Sequence, residues 1–358
     1  MSLQTKPGHH LAPLKSRIIV VMIDGAPVES RWLRPEPRRS LPRTFLQKIV
    51  KAVFPGCSTL DVQPLTHGFR NANFRIQLDS TPEFVVLRIY EHDASLCRKE
   101  VDLLGLIRHS VPIPEIIHAE PDGLNEVPPF VFFHYIDGIA FDQLKRNGDA
   151  IAISQAVYDA GRTLALIGRA KFPKPGWLGP GRSVTAPLLE GTNPTPRFVD
   201  LCLDSANVRQ RVERKLRDQA SALVWSYATQ LASLNNETNL VHGDFGCRNL
   251  LVREVAGDWT VAAVLDWEFA IAGSPLTDIG HFLRYEALSR SKVEPPFSNG
   301  YLQGGGRLQS DWRQLARIID LIPLCESLTH DALPRSVVAE LIELVTATVE
   351  NRDPRFSC

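Results

Sequence analysis

The chain has 358 residues, 44% of them hydrophobic and 22% charged, and its 40 lysines and arginines balance 40 aspartates and glutamates. Zero net charge excludes the electrostatic footprint of a dedicated nucleic-acid binder, and no apolar run approaches the roughly 18 residues of a membrane span. The six cysteines are scattered, without paired zinc-site spacing, and read as reduced thiols in a cytoplasmic protein, not as a disulfide framework. The expected partners are small molecules, with no nucleic acid and no membrane.

Residues 1–43 stand apart. They carry eight bases against three acids, and six prolines, the texture of a loosely ordered extension. Residues 18–23 are apolar but too few for a signal-peptide core; their strand-like composition would suit pairing with a sheet edge. Order is expected to begin near Ser40, with a helix in which Leu46, Ile49, Val50 and Val53 recur at helical spacing until Pro55-Gly56 stops the run. Strands are expected at 60–65, 73–78 and 84–90, rich in β-branched and aromatic residues, with a turn-forming stretch from Thr66 to Asn71. A helix over 93–109 follows, carrying Leu96, Val101, Leu104 and Ile107 near one face, and then strands at 113–119 and 129–135.

From residue 136 the patterns lengthen. A helix is expected over 150–170, one or two more over 198–234, and a helical tail over 311–350 broken near Pro323 and Pro334. A β-rich first part joined to a helical second part is an α+β, two-lobe pattern. The expected division is an extension (1–43), a small β-rich N-lobe (44–135) and a larger helical C-lobe (136–358).

The chemistry concentrates between residues 240 and 268. Residues 250–254 run outward as a strand, Ala256-Gly257-Asp258 turns, and residues 259–265 return. A hairpin of matched arms brings the chain back to its starting end, so Asn249, before the outgoing arm, meets Asp266, after the returning one. Asp244 sits on the preceding turn. Hard oxygen ligands on one rim suit magnesium, which takes one or two protein oxygens together with phosphate. A further carboxylate free for proton work beside a metal-held phosphate is the layout of a phosphoryl-transfer site.

These residues resemble the aminoglycoside phosphotransferase and choline kinase-like family, small-molecule kinases with a protein-kinase-like fold. His242-Gly243-Asp244 with Asn249 resembles the family's catalytic loop, with the same five-residue step from Asp to Asn as in protein kinases. Asp266-Trp267-Glu268 resembles its metal-binding motif, and the segment from Pro275 through Asp278 the one that follows. The resemblance implies that Asp244 is the catalytic base or orients the acceptor hydroxyl, and that Asn249 and Asp266 hold Mg2+. It implies that Asp278 braces the loop through backbone N–H groups, that His242 packs beneath it, and that Glu268 reaches the metal or the substrate side. In the N-lobe, Arg88 resembles the phosphate-binding cation and Glu100 its ion-pair partner. Protein kinases carry Lys there; arginine forks onto two oxygens where lysine acts as a point charge. Gly68 with Asn71 resembles the phosphate-covering loop, and the strand ending at His134 and Tyr135 the hinge whose backbone meets adenine.

The implied activity is transfer of the γ-phosphate of ATP to a hydroxyl of a small metabolite. Between residues 139 and 240 thirteen bases stand against nine acids. A polycationic aminoglycoside would be steered by an acidic cleft, so a neutral or mildly charged hydroxyl compound is the expected acceptor. Two rival readings remain open: a nucleotide-binding pseudokinase that regulates without turnover, and a metal-dependent hydrolase built on His242, Asp244 and Asp266. The hydrolase would need more nitrogen ligands than the spacing of His67, His134 and His281 supplies.

Overall fold

The computed structural model describes residues 41–65, 71–91, 93–289 and 292–351. The expected extension up to residue 40, the possible strand at 18–23 and Gly68 in the phosphate-covering loop lie outside the described residues. The chain is mixed, with a β-sheet in its N-terminal region and helices dominating its C-terminal region.

Helix α1 (Arg43–Val53) precedes strands β1 (Thr59–Pro64), β2 (Ala72–Leu78) and β3 (Phe84–Ile89); then come helix α2 (Ala94–Ile107) and strands β4 (Ile116–Glu120) and β5 (Phe130–His134). The strands form one antiparallel sheet in the order β1-β2-β3-β5-β4. Strand periodicity sends alternate side chains to opposite faces. Phe74, Ile76, Leu78, Val85, Leu87, Ile89, Phe130 and Phe132 therefore share a face, where Leu46, Ile49 and Val50 of α1 cover them. Arg88, Val131 and Phe133 point the other way, and Val131 and Phe133 join Cys97 and Leu104 of α2 in the second core. Asp93 caps α2 by accepting from Ser95 N at 2.9 Å.

The C-terminal region runs β6 (Ile139–Ala140), α3 (Phe141–Asn147), α4 (Ala150–Ile167), β7 (Gly176–Leu178), β8 (Val184–Ala186), α5 (Pro194–Leu203), α6 (Ala206–Arg211), α7 (Arg214–Ser226), α8 (Ala228–Leu234) and β9 (Asn239–Val241). It continues with β10 (Leu250–Val255), β11 (Asp258–Val264), β12 (Ile271–Gly273), α9 (Leu276–Leu283), α10 (Glu294–Gln303), α11 (Trp312–Ser327) and α12 (Arg335–Val349). Two small sheets, β11-β10-β6 and β8-β7-β12-β9, support the loops between them.

Two expectations need correction. The stretch expected to hold one or two helices, 198–234, lies within four, because Ser205 caps a new start at Val208 N and the chain turns again at Val212–Glu213 and Tyr227. Pro323 does not break the tail: it lies inside α11. Proline there removes one helical hydrogen bond, but Leu315, Ile318, Leu321, Leu324 and Cys325 are buried, and that packing holds the helix through it. Helices α9 and α10 and the short strands β7, β9 and β12 have too few residues each for a clear period, and only tertiary contact fixes them. Among the described residues no helix is long and apolar enough to cross a membrane.

Candidate active site

The hairpin β10–β11 pairs Leu250 with Val264 at one end and Val255 with Asp258 at the other. Its two-residue turn, Ala256-Gly257, has φ of 53° and 90°, positive at both positions as the tightest hairpins require. At the open end Leu265 N donates to Asn249 O at 2.8 Å. The pairing thus carries Asn249 and Asp266 to the same rim, and Asp266 itself takes a left-handed φ of 65°, a conformation Asp tolerates better than most residues.

The loop before the hairpin is tied at every turn. Asn249 Nδ2 donates to the Asp244 carbonyl at 2.9 Å and to its Oδ2 at 2.8 Å, which leaves Asn249 Oδ1 as the amide atom available to a cation. Asp278, on α9, accepts from His242 N at 2.7 Å and Gly243 N at 2.9 Å. Gly243 has φ of 83°, and a Cβ there would sit 2.4 Å from the Phe269 carbonyl oxygen, so only glycine fits. His242 donates through Nε2 to Leu265 O at 2.8 Å and accepts at Nδ1 from Asp244 N at 3.2 Å, which fixes its tautomer. Its ring meets Trp267 edge-on, with centroids 4.7 Å apart.

Arg88 enters from the N-terminal sheet. It reaches Glu100 Oε1 at 3.3 Å and also pairs with Asp266 Oδ1. The cation is therefore shared between its expected partner and the carboxylate at the hairpin end. Burial opposes its charge, but Asp266 and then Glu100 outweigh that and raise its pKa further. Glu100 also receives the Tyr90 hydroxyl and the Trp267 backbone N–H, the latter at 3.4 Å. Asn71 Nδ2 donates to Glu268 Oε2 at 3.4 Å. His134 and Tyr135, at the end of β5, are both exposed.

The sequence model of the phosphotransferase enzyme family (APH) matches residues 61–318. The chain belongs to that family. Among solved structures, this family member resembles aminoglycoside phosphotransferase APH(4)-Ia at 16% identity over 87% of this chain and 100% of that one, with a TM-score of 0.61. The complex of APH(2")-IIia with GDP and kanamycin superposes at a TM-score of 0.60, at 18% identity over 87% and 100% of the two chains. A ternary complex of APH(4)-Ia with AMP-PNP and hygromycin B gives 0.58, at 19% identity over 86% and 98%. These likenesses establish the protein-kinase-like fold. A shorter match, 46% identical over 48 residues, is to acyl-CoA dehydrogenase family member 11 of Homo sapiens and of Pongo abelii; it spans 13% of this chain and only 6% of those proteins.

In this phosphotransferase-family chain, several residues at the site had not been singled out from the sequence. Lys99 is buried, and its Nζ donates to the Glu268 carbonyl at 2.7 Å, so α2 holds the segment after Asp266 with two successive residues. Burial pulls its pKa down to about 8 against the attraction of Glu268 and Glu100. His281 Nε2 lies 3.4 Å from Asp244 Oδ1, while its Nδ1 faces Arg284 Nη2 at 3.3 Å. Arg284 in turn forks onto Asp320 at 2.8 and 2.6 Å. Because arginine can only donate, His281 Nδ1 accepts and Nε2 carries the proton toward Asp244. Burial, followed by Arg284 and His242, lowers the His281 pKa well below its ordinary value, so the ring stays neutral. A signal for this chain did exist: Asp278, His281 and Arg284 are spaced three apart, which puts them on one helix face.

Two measurable consequences follow from these contacts. Asp278→Ala orphans the His242 and Gly243 N–H groups; at about 1–3 kcal/mol for each buried unsatisfied donor, urea unfolding is expected to show a loss of about 2–4 kcal/mol. A loss below about 0.5 kcal/mol would remove Asp278 from its bracing position.

The second concerns acid. Burial lowers the His242 pKa from 6.5 to about 4, so between those values the unfolded chain binds more protons and stability falls as pH falls. Burial also raises the Asp278 carboxyl to about 7 despite its backbone donors, which works in the opposite direction over an overlapping range. Comparing wild type with His242→Gln isolates the imidazole. Between pH 7 and pH 4.5 the wild type is expected to lose about 2–3 kcal/mol more than the variant. Parallel pH profiles would show that the ring is not buried neutral.

Proposed function

We propose that this chain is a magnesium-dependent small-molecule O-kinase that moves the γ-phosphate of ATP to an alcohol hydroxyl. The observation that carries the reading is the convergence of Asp244, Asn249, Asp266 and the Arg88–Glu100 pair from three separate parts of the chain. The solved relatives hold GDP or AMP-PNP together with kanamycin or hygromycin B, which supports a nucleotide and a small molecule as the two substrates here.

In the reaction, Asp244 orients the acceptor hydroxyl and takes its proton. The hydroxyl oxygen bonds to the γ-phosphorus, and the bond from that phosphorus to the β–γ bridging oxygen breaks, releasing ADP and the phosphate monoester. Asn249 holds one carboxylate oxygen of Asp244 in place, and His281 packs beside the other. Arg88 places positive charge where the nucleotide phosphates lie, and Asn71 with Gly68 covers them from the N-terminal side. The backbone at His134 and Tyr135 receives the adenine.

Asn249 Oδ1 and the Asp266 carboxylate form a hard-oxygen pair that fits Mg2+, completed by phosphate oxygens and water. Bound there, the ion neutralises charge on the phosphates. Among the described residues no three His, Cys, Asp or Glu side chains gather as a protein-only metal cage, so the donor set favours Mg·nucleotide over a hydrolytic centre. His242 and Asp278 are structural supports of the loop, and Glu268 lies beside the metal pair. We assign residues 44–135 to a nucleotide-binding lobe, 136–358 to a lobe carrying the catalytic loop and acceptor site, and 1–43 to an extension. The five described cysteines are free thiols, in keeping with a cytoplasmic setting.

The test is thermal unfolding with ATP or GTP, with and without Mg2+, followed by turnover over a library of hydroxyl compounds. Magnesium-dependent protection with phosphate transfer is expected. Absence of protection by any Mg·nucleotide would overturn the reading, and protection without transfer to any alcohol would make the chain a regulatory pseudokinase.

A further inference from the structure

A cavity of about 220 Å3 lies beside Gly243, walled mainly by Trp177, Leu188, Leu189, Phe198, Leu231 and Ile322. Its sides come from β7, the loop after β8, and helices α5, α8, α9 and α11, so distant stretches of sequence build it together. His281 also lines it, and the Nε2 of that residue is 3.4 Å from Asp244 Oδ1. The cavity therefore comes within one side chain of the group assigned to accept the hydroxyl proton, with Gly243 and His281 in its wall.

The polar atoms of the lining differ in kind. Asp320 is taken up by Arg284. Glu326 is buried, and its Oε1 meets His330 Nε2 at 2.9 Å, but its Oε2 has no hydrogen-bond partner among the described residues. Glu326 stands six residues beyond Asp320 on α11, about 9 Å along the helix axis. Pro323, between them, has no N–H, so the Ile319 carbonyl lacks its usual helical donor; both residues line the cavity. Acceptors without donors, set in a hydrocarbon wall, call for a ligand that brings a donor of its own.

We propose that this cavity is the acceptor site and that the acceptor is a small alcohol on an apolar skeleton, with a second donor group at the end away from Asp244. The inference rests on the phosphotransfer reading and adds the substrate class to it. The reacting hydroxyl approaches Asp244 from the cavity side, next to His281, gives its proton to Asp244 and takes the phosphoryl group, while the second donor meets Glu326 or the Ile319 carbonyl. A polyhydroxylated, polycationic sugar suits the site poorly, because its many polar groups would face Leu188, Leu189, Phe198 and Ile322 unpaired. The volume is below the roughly 300–1,000 Å3 of sites that enclose a drug-sized ligand, so it takes a small molecule or one arm of a larger one.

The experiment measures kcat/KM and calorimetric binding on the full chain with Mg·ATP. The probes are primary alkanols and α,ω-alkanediols of increasing length, with glycerol, glucose and kanamycin as polar references. Each added methylene is expected to raise kcat/KM about fourfold until the cavity is full, with the diol about tenfold better than the matching alkanol through its bond to a charged or unpaired acceptor. Leu189 is only partly buried, and Leu189→Asp is expected to flatten the chain-length dependence while leaving Mg·ATP affinity unchanged. Efficient transfer to kanamycin or a polyol, with no gain along the alkanol series, would overturn the cavity assignment and leave phosphotransfer standing. Chain-length-dependent binding without transfer would do the reverse.

Discussion

Asp244→Asn is expected to lower turnover by about 10²–10⁴, the usual cost of losing a general base, while Mg·nucleotide affinity stays within a few-fold. The carboxylate receives Asn249 Nδ2 on one oxygen, and its other oxygen lies 3.4 Å from His281 Nε2. An amide of the same shape keeps an acceptor for Asn249 in only one of its two flips and in the other turns its NH2 toward that donor. It can no longer take a proton, and its orientation degrades as well. Nucleotide contacts are spared because they are assigned to Arg88, Asn249 and Asp266. Steady-state kinetics on the acceptor found in the library, beside calorimetry with Mg·ATP, separates the two effects. Near-wild-type turnover would take Asp244 out of the chemistry.

The second large effect is expected from Asp266→Ala. Asp266 is the carboxylate that the hairpin returns to Asn249, and it also pairs with the buried Arg88. Its removal takes away the only charged member of the proposed metal pair and leaves Arg88 with Glu100 alone. Loss of even an outer partner of a metal ligand costs about 10–100-fold in metal affinity, so a larger loss is expected for the ligand itself. Calorimetric titration of ATP with and without Mg2+ should show the magnesium-dependent gain disappear. If variant and parent kept the same dependence on the metal, the metal site would have to be placed elsewhere.

What was legible in the amino-acid order is the part set by short-range rules. Richness in β-branched and aromatic residues along 73–78 and 84–90 marks β2 and β3, and strand geometry with its period of two then puts Arg88 on the face opposite Val85 and Leu87. The hairpin from Leu250 to Val264 is local in the same sense. Matched arms and a short turn leave the ends no choice but to meet, so Asn249 and Asp266 are neighbours before any tertiary contact forms. Expecting Pro323 to break α11 failed because a local rule was applied where buried leucines and isoleucines on the same helix outweigh one lost hydrogen bond.

Only the tertiary structure decided the rest. Gly280 has no room for a Cβ, which would sit 2.4 Å from the Ala316 carbonyl oxygen; this close approach of α9 to α11 lets Arg284 reach Asp320, 36 residues away. From there the contacts run through His281 to Asp244, a link that no spacing within one helix could reveal in full. Lys99 became part of the site because α2 packs against the segment at Glu268, 169 residues later. The cavity shows the same limit. Counting thirteen bases against nine acids between residues 139 and 240 argued against a polycation, yet the walls that would exclude one are uncharged: Trp177, Leu188, Phe198 and Leu231 from that stretch, joined by Ile322 from α11. A charge sum weighs every side chain equally, whereas a binding site is formed by the few that packing turns inward, and that selection is made by long-range contact.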